Sequence, residues 1–151
     1  MNAFRLCRHD RISLDGVGGL YTDGRWHRRG SRIVYSASTI SLAVLESRVH
    51  HETAPLGWVA LELLIPDELV EKLDQSLLPA GWSIDRTSTQ DIGETWLQSK
   101  RSAVLGVPSV IVPTELNFLL NPLHPEAPGV AIKSMRPFVF DTRLFRSPGS
   151  S

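Results

Sequence analysis

Apolar and polar positions repeat with two different periods along this chain, and the switches between them predict its elements. FRLC at 4–7 and RIVYSA at 32–37 space their β-branched and aromatic residues as short, half-buried strands do. From Ser38, a residue suited to an N-cap, STISLAVLESRVHHE sets Leu42, Leu45 and Val49 at i, i+3 and i+7, which defines one face of a helix. GWVALELLI at 57–65 returns to strand, and Pro66 ends it. PDELVEKLD then places acids early and a lysine late, which suits a short helix and its dipole. A further helix is expected over DIGETWLQSK, 91–100, with Ile92, Trp96 and Leu97 facing inward. VPSVIVP, 107–113, is a β-branched run bounded by prolines, the form of a strand covered on both faces. NFLLNPLHPEAPG, 117–129, is rich in turn formers, and VAIKSMRPFVFD, 130–141, supplies one or two closing strands. Helices and strands interleave without a strict βαβ repeat. The expected class is therefore α+β, one compact domain over residues 1–145 with a mixed, largely antiparallel sheet, followed by a small, polar, disordered tail, RSPGSS, at 146–151.

Composition narrows the function. Sixteen basic residues balance sixteen acidic ones among 151, so no overall field draws in nucleic acid, and direct nucleic-acid binding is not expected. The single cysteine, Cys7, cannot form an internal disulfide, and no segment approaches the apolar length of a membrane span. A cytoplasmic protein with no membrane association is expected.

Against this neutral background, GRWHRRG at 24–30 concentrates three arginines and a histidine around Trp26, with Arg32 close behind. Arg25, between Gly24 and Trp26, offers a planar guanidinium in a turn where glycine permits close approach, a shape that fits phosphate or carboxylate. Glu46 lies on the predicted helix within the stripe formed by Leu42, Ala43 and Val49. A carboxylate there needs a cation, a set of donors or an adjoining cleft, unless it is a boundary residue whose head reaches water. Arg25 is its natural counterpart. Tyr35, on the strand leading into that helix, presents a ring either to a flat ligand or to the core. Ser109 is the polar residue within an apolar strand, and no G-x-S-x-G elbow marks it as a nucleophile. His50, His51 and Glu52 are adjacent rather than spaced as metal ligands, and His124 sits in a turn sequence, so no metal is expected. Glycine-rich phosphate loops are absent too.

The order FR, GRW, VYSA passing into SLAVLE, then IGETW, VPSVIVP and NFLLNPLHP, from Phe4 to about Phe140, strongly resembles the RES domain. The arginine, glutamate and serine of that family correspond in this resemblance to Arg25, Glu46 and Ser109, and His27 stands where the family often has asparagine. The resemblance implies a fold similar to ADP-ribosyltransferases and the toxin of a type II toxin–antitoxin pair. It further implies an Xre-like antitoxin covering the active site, with oligomerisation inside that complex left open, and NAD as substrate with no separate cofactor.

What the resemblance implies chemically is cleavage of the nicotinamide–ribose bond, by hydrolysis or phosphorolysis, with ADP-ribosyl transfer to a protein as the alternative. Glu46 would stabilise positive charge developing on the ribose, Arg25 with Arg5 would hold phosphate, Tyr35 would stack on nicotinamide, and Ser109 would bond to the ribose or the carboxamide. A reading of another class remains beside it: a non-catalytic module whose arginine turn binds an acidic protein surface.

Overall fold

Alternating burial decides how the strands are used. β1 (Asn2–Arg8) buries Ala3 and Cys7, and β3 (Trp58–Leu64) buries Val59, Leu61 and Leu63. The two pair antiparallel along seven residues, from Asn2↔Leu64 to Arg8↔Trp58, so these side chains share one face. On β6 (Leu116–Leu120) and β5 (Val104–Pro108) every residue from Asn117 to Leu120 and from Val104 to Pro108 is buried, because both faces of the sheet are covered there.

In this computed structural model, which describes residues 1–146, the remaining elements are β2 (Val34–Ala37), α1 (Ile40–His50), β4 (Val70–Lys72), α2 (Arg86–Ser99) and β7 (Ala131–Phe138). The seven strands form one sheet in the order β4-β5-β6-β2-β1-β3-β7. Only β4 and β5 run parallel, which gives the mixed, largely antiparallel sheet of an α+β protein, as the sequence leads one to expect. At the centre, β1 and β2 share a single pair, Phe4↔Ala37, whereas β2 and β6 share four. The sheet therefore splits between β1 and β2.

Each face has its own core. Val34, Leu61, Leu63, Val104, Phe118 and Leu120 pack on one side. On the other, Trp26, Trp96, Leu97, Leu105, Val107 and Leu119 join α2 and the 24–30 turn to the sheet. α2 starts at its N-cap, Asp85, whose carboxylate accepts the Thr87 N–H at 2.8 Å, and its inward face is Thr89, Gly93, Trp96 and Leu97. Trp26 and Trp96 are almost fully buried, each removing on the order of 200 Å² from water, an upper bound of about 5 kcal/mol. That burial keeps the cationic turn docked.

Several elements depart from the pattern. The N-cap of α1 is Thr39, whose Oγ1 accepts the Leu42 N–H at 3.0 Å, one residue later than Ser38. Along α1 Leu42 and Ala43 are buried, whereas Leu45 and Val49 are 40% and 61% exposed; Val49 faces a cavity instead of the core. PDELVEKLD forms a 3-10 turn, Asp67–Leu69, followed by β4, because Leu69 is drawn into the core and Val70–Lys72 find a strand edge at β5. α2 begins at Arg86, five residues before the expected start. VPSVIVP is strand only to Pro108, and residues 109–115 turn back so that NFLL enters the sheet as part of β6. One closing strand, β7, follows. From residue 147 on, the expected tail lies outside the described residues.

The α2–turn contact is close enough to require a glycine. A Cβ on Gly93 would collide with the Trp26 carbonyl, which is backbone and cannot swing away. Gly93→Ala should cost at least the roughly 1–3 kcal/mol typical of overpacking, read as a lowered denaturation midpoint with an unchanged m-value.

Candidate active site

The split between β1 and β2 opens into a cavity of about 680 Å³, within the range of roughly 300–1,000 Å³ typical of small-molecule sites. β1 contributes Arg5, β2 contributes Tyr35, α1 contributes Glu46 and His50, and the 24–30 turn contributes Arg25. Arg86, the first residue of α2, completes a second cationic corner.

Glu46 is held by neutral donors alone. Ser109 Oγ donates to its Oε1 at 3.0 Å, and Asn117 Nδ2 donates to its Oε2 at 2.9 Å. Among the described residues no cation lies within ion-pair distance of Glu46, so the expected Glu46–Arg25 pair does not form; the two side chains share the cavity without pairing. Burial raises the Glu46 carboxyl above the usual carboxylate range, and the Asn117 and Ser109 hydrogen bonds act against that rise.

Ser109 is fully buried, and its oxygen also accepts the backbone N–H groups of Ile111 at 3.1 Å and Val112 at 3.2 Å. Its hydrogen-bonding capacity is thus spent on the carboxylate and on the β5–β6 connection. The geometry makes Ser109 a support for Glu46 in place of the expected ligand contact, and it is absent from the cavity wall, which Val110 and Ile111 form instead.

Tyr35 is similarly committed. Its hydroxyl accepts the Trp26 N–H at 3.1 Å and lies 2.7 Å from His27 Nδ1, while His27 Nε2 lies 2.8 Å from the Thr22 carbonyl. A carbonyl only accepts, so Nε2 carries the proton and Nδ1 must accept from Tyr35. Burial pushes His27 below the ordinary histidine value and Tyr35 well above the ordinary tyrosine one, which keeps both neutral. Gly24 is needed here as well, since a Cβ would meet the Tyr35 hydroxyl and the His27 ring. His27 thus fixes the hydroxyl and leaves the Tyr35 ring on the wall.

The cations of the turn divide by role. Arg28 pairs with Asp91 at 2.6 Å and Arg32 Nη1 donates to the Asp15 carbonyl at 3.1 Å, while at Arg29 it is the backbone N–H that donates to Asp23, at 2.6 Å. These fasten the turn. Arg25 instead reaches the cavity, where Nη1 donates to the Trp82 carbonyl at 3.3 Å. Its value is lowered first by burial and then by the like charge of Arg86, though a guanidinium keeps its charge. Arg5 Nη1 donates to the Tyr35 carbonyl at 3.2 Å across the split, and its buried Nε has no partner among the described residues.

Arg86, Asn117 and His50 were not singled out by sequence reasoning as site residues. Arg86 follows the capping residue Asp85, a weak signal of a helix start; Asn117 was hidden because NFLL was read with the turns after it. Among the described residues no three His, Cys, Asp or Glu side chains cluster as a metal site would require, and no helix is long and apolar enough to cross a membrane.

Residues 2–141 match the RES domain family. The chain is 41% identical over 145 residues to the Prs ADP-ribosylating toxin of Sphingobium sp. strain YBL2, covering 91% of this chain and 90% of that protein. It is 38% identical over 135 residues to Toxin Res of Pseudomonas putida KT2440, covering 87% and 92%. A chain in the crystal structure of the M. tuberculosis MbcT–MbcA toxin–antitoxin complex has a similar fold, with a TM-score of 0.74 at 14% identity over 91% of this chain and 84% of that one.

The folded pKa of Glu46 lies above its unfolded value, so its contribution to stability is fully present below the unfolded carboxylate pKa. That contribution is lost as pH rises through the folded one. Asn117→Ala removes one donor to the ionised form. The carboxyl should then titrate at still higher pH, as an NMR titration of the Glu46 side chain would record.

Proposed function

The chain belongs to the RES-domain family, and from that premise we propose that it is the toxin of a toxin–antitoxin pair and cleaves the nicotinamide–ribose bond of NAD. The observation that carries this reading is Glu46: a buried carboxylate with neutral donors, facing a cavity whose arginines have no acidic partner. Departure of neutral nicotinamide leaves positive charge on the ribose C1′ and ring oxygen. A carboxylate whose charge is not cancelled by a neighbouring cation stabilises that transition state more than the ground state.

The remaining roles follow from position. Arg25 and Arg86 sit together despite their mutual repulsion, a pairing that the two negative charges of a diphosphate would relieve. Arg5 lines the same cavity and adds a further cation for phosphate or ribose. Tyr35 offers its ring to nicotinamide while His27 occupies its hydroxyl. An Xre-like antitoxin would inhibit by covering this cavity. Transfer of ADP-ribose to a protein is a second reading, favoured by the name of the 41% identical Sphingobium relative.

Purified protein should release nicotinamide from NAD, and chromatography of the products separates ADP-ribose from its phosphate adduct. No release, with and without phosphate, overturns the reading. Glu46→Ala should lower kcat about 10²–10³-fold. Arg25→Ala and Arg86→Ala should each raise KM for NAD about tenfold or more, as loss of a charge-assisted hydrogen bond does, yet leave KM for nicotinamide riboside, which has no phosphate, unchanged.

A further inference from the structure

His50 is the last residue of α1, one helical turn beyond Glu46 and on the same side, and both line the cavity. Its situation differs from that of the other two cavity histidines. His27 is tied at both ring nitrogens, and His51 Nδ1 lies 2.8 Å from the Ser47 carbonyl with its ring edge-on to Trp58. No hydrogen bond to another described residue occupies either nitrogen of His50. A free imidazole thus lines the same cavity as the carboxylate, one helical turn away.

Resting on the NAD-cleaving reading, we propose that His50 is the base that takes the proton from a hydroxyl acceptor as it attacks the ribose C1′, and that docking of the substrate diphosphate on Arg25 and Arg86 switches it on. The C1′–N bond breaks, and its electron pair leaves with neutral nicotinamide. The acceptor oxygen forms the new bond to C1′, and its proton passes to His50, which releases it to solvent afterwards. Glu46 stabilises the sugar cation throughout and need not accept the proton.

The surroundings support both halves of this assignment. Around His50 stand Glu46 on its own helix, His51 beside it, Arg25 from the turn and Arg86 from α2; Arg5, Asp23, His27 and Tyr35 complete the titratable lining. Burial lowers the His50 pKa most, and the charges of His51, Arg86 and Arg25 lower it further, so in the free protein it is neutral but a weak base. A bound diphosphate cancels the two arginine charges. The imidazole then regains the part of its basicity that those charges removed, which makes it a better general base. The same logic fixes the acceptor class. Water or a side-chain hydroxyl must lose a proton and depends on His50, whereas an anion such as phosphate already carries its charge and does not.

The test compares wild type with His50→Gln in phosphate-free buffer, with and without sodium azide, an anionic acceptor that has no proton to lose. Wild-type turnover should fall at acid pH. His50→Gln should form ADP-ribose about 10²-fold more slowly, with only the acid limb set by Glu46 remaining, and azide should restore nicotinamide release to within a few-fold by forming the azide adduct. NMR of the wild-type His50 ring should show its pKa rising when ADP-ribose is bound, and failure to rise overturns the switching step. Wild-type release together with an unchanged rate and pH profile in His50→Gln, or no recovery with azide at unchanged KM, overturns the assignment alone. No release by wild type overturns the NAD reading and this proposal with it.

Discussion

Burying the Glu46 carboxylate against neutral donors is the constraint around which this molecule is arranged. Ion pairing would have satisfied the group more simply, but an adjacent guanidinium would also have cancelled much of its field. Two uncharged donors hold it in place without doing so, and each draws on a different part of the fold. Asn117 comes from β6, where its Nδ2 also reaches the Ser36 carbonyl at 3.3 Å. Ser109 comes from the bend after β5, where the same oxygen that donates to Glu46 accepts two backbone N–H groups and so shapes the return to β6. The β5–β6 connection is therefore built on the side chain that orients the acid.

A second dependence runs through α2. Its face touches the 24–31 segment with one polar group after another: Gln90 Nε2 donates to the Gly24 carbonyl at 3.0 Å, Thr89 Oγ1 donates to the Arg25 carbonyl at 2.6 Å, and Glu94 accepts from the Arg28 N–H at 2.7 Å and from Ser31 Oγ. Backbone held this firmly frees the Arg25 side chain from any structural duty except the long bond to Trp82. A neutral protein can thus carry a cationic turn, because Asp91 balances Arg28, which fastens the turn, while the arginines that reach the cavity make no ion pair among the described residues.

Much of the architecture was legible because hydrophobic periodicity reports burial, and burial alternates along β3 and follows a single face of α2. It failed where burial and periodicity part company. Val49 completes a helical stripe on paper, yet α1 faces a cavity there, and no sequence pattern distinguishes a core from an apolar cleft. PDELVEKLD has the charges of a helix, but Leu69 and the parallel edge of β5 pull it into strand. Of the site residues, Glu46 and Arg25 could be found because each breaks a local rule, a charge in an apolar stripe and cations in a neutral chain. Asn117 and Arg86 break none. Only the fold, which brings β6 behind α1 and the start of α2 opposite Arg25, gives them meaning.

The cavity itself is a consequence of one missing ladder. Had β1 and β2 paired along their length, as β1 and β3 do, the sheet would be continuous and α1 would lie flat upon it. Instead they part after Phe4↔Ala37, and the Tyr35 carbonyl, which a neighbouring strand would otherwise engage, is met by Arg5 from across the gap. The arginine does two things at once: it satisfies exposed backbone at the split and brings a cation to the cavity wall. A gap closed by backbone would have offered a ligand nothing, whereas a gap bridged by a long cation leaves both space and charge. The separation of β1 from β2 therefore creates the volume and lines it with a cation in the same step.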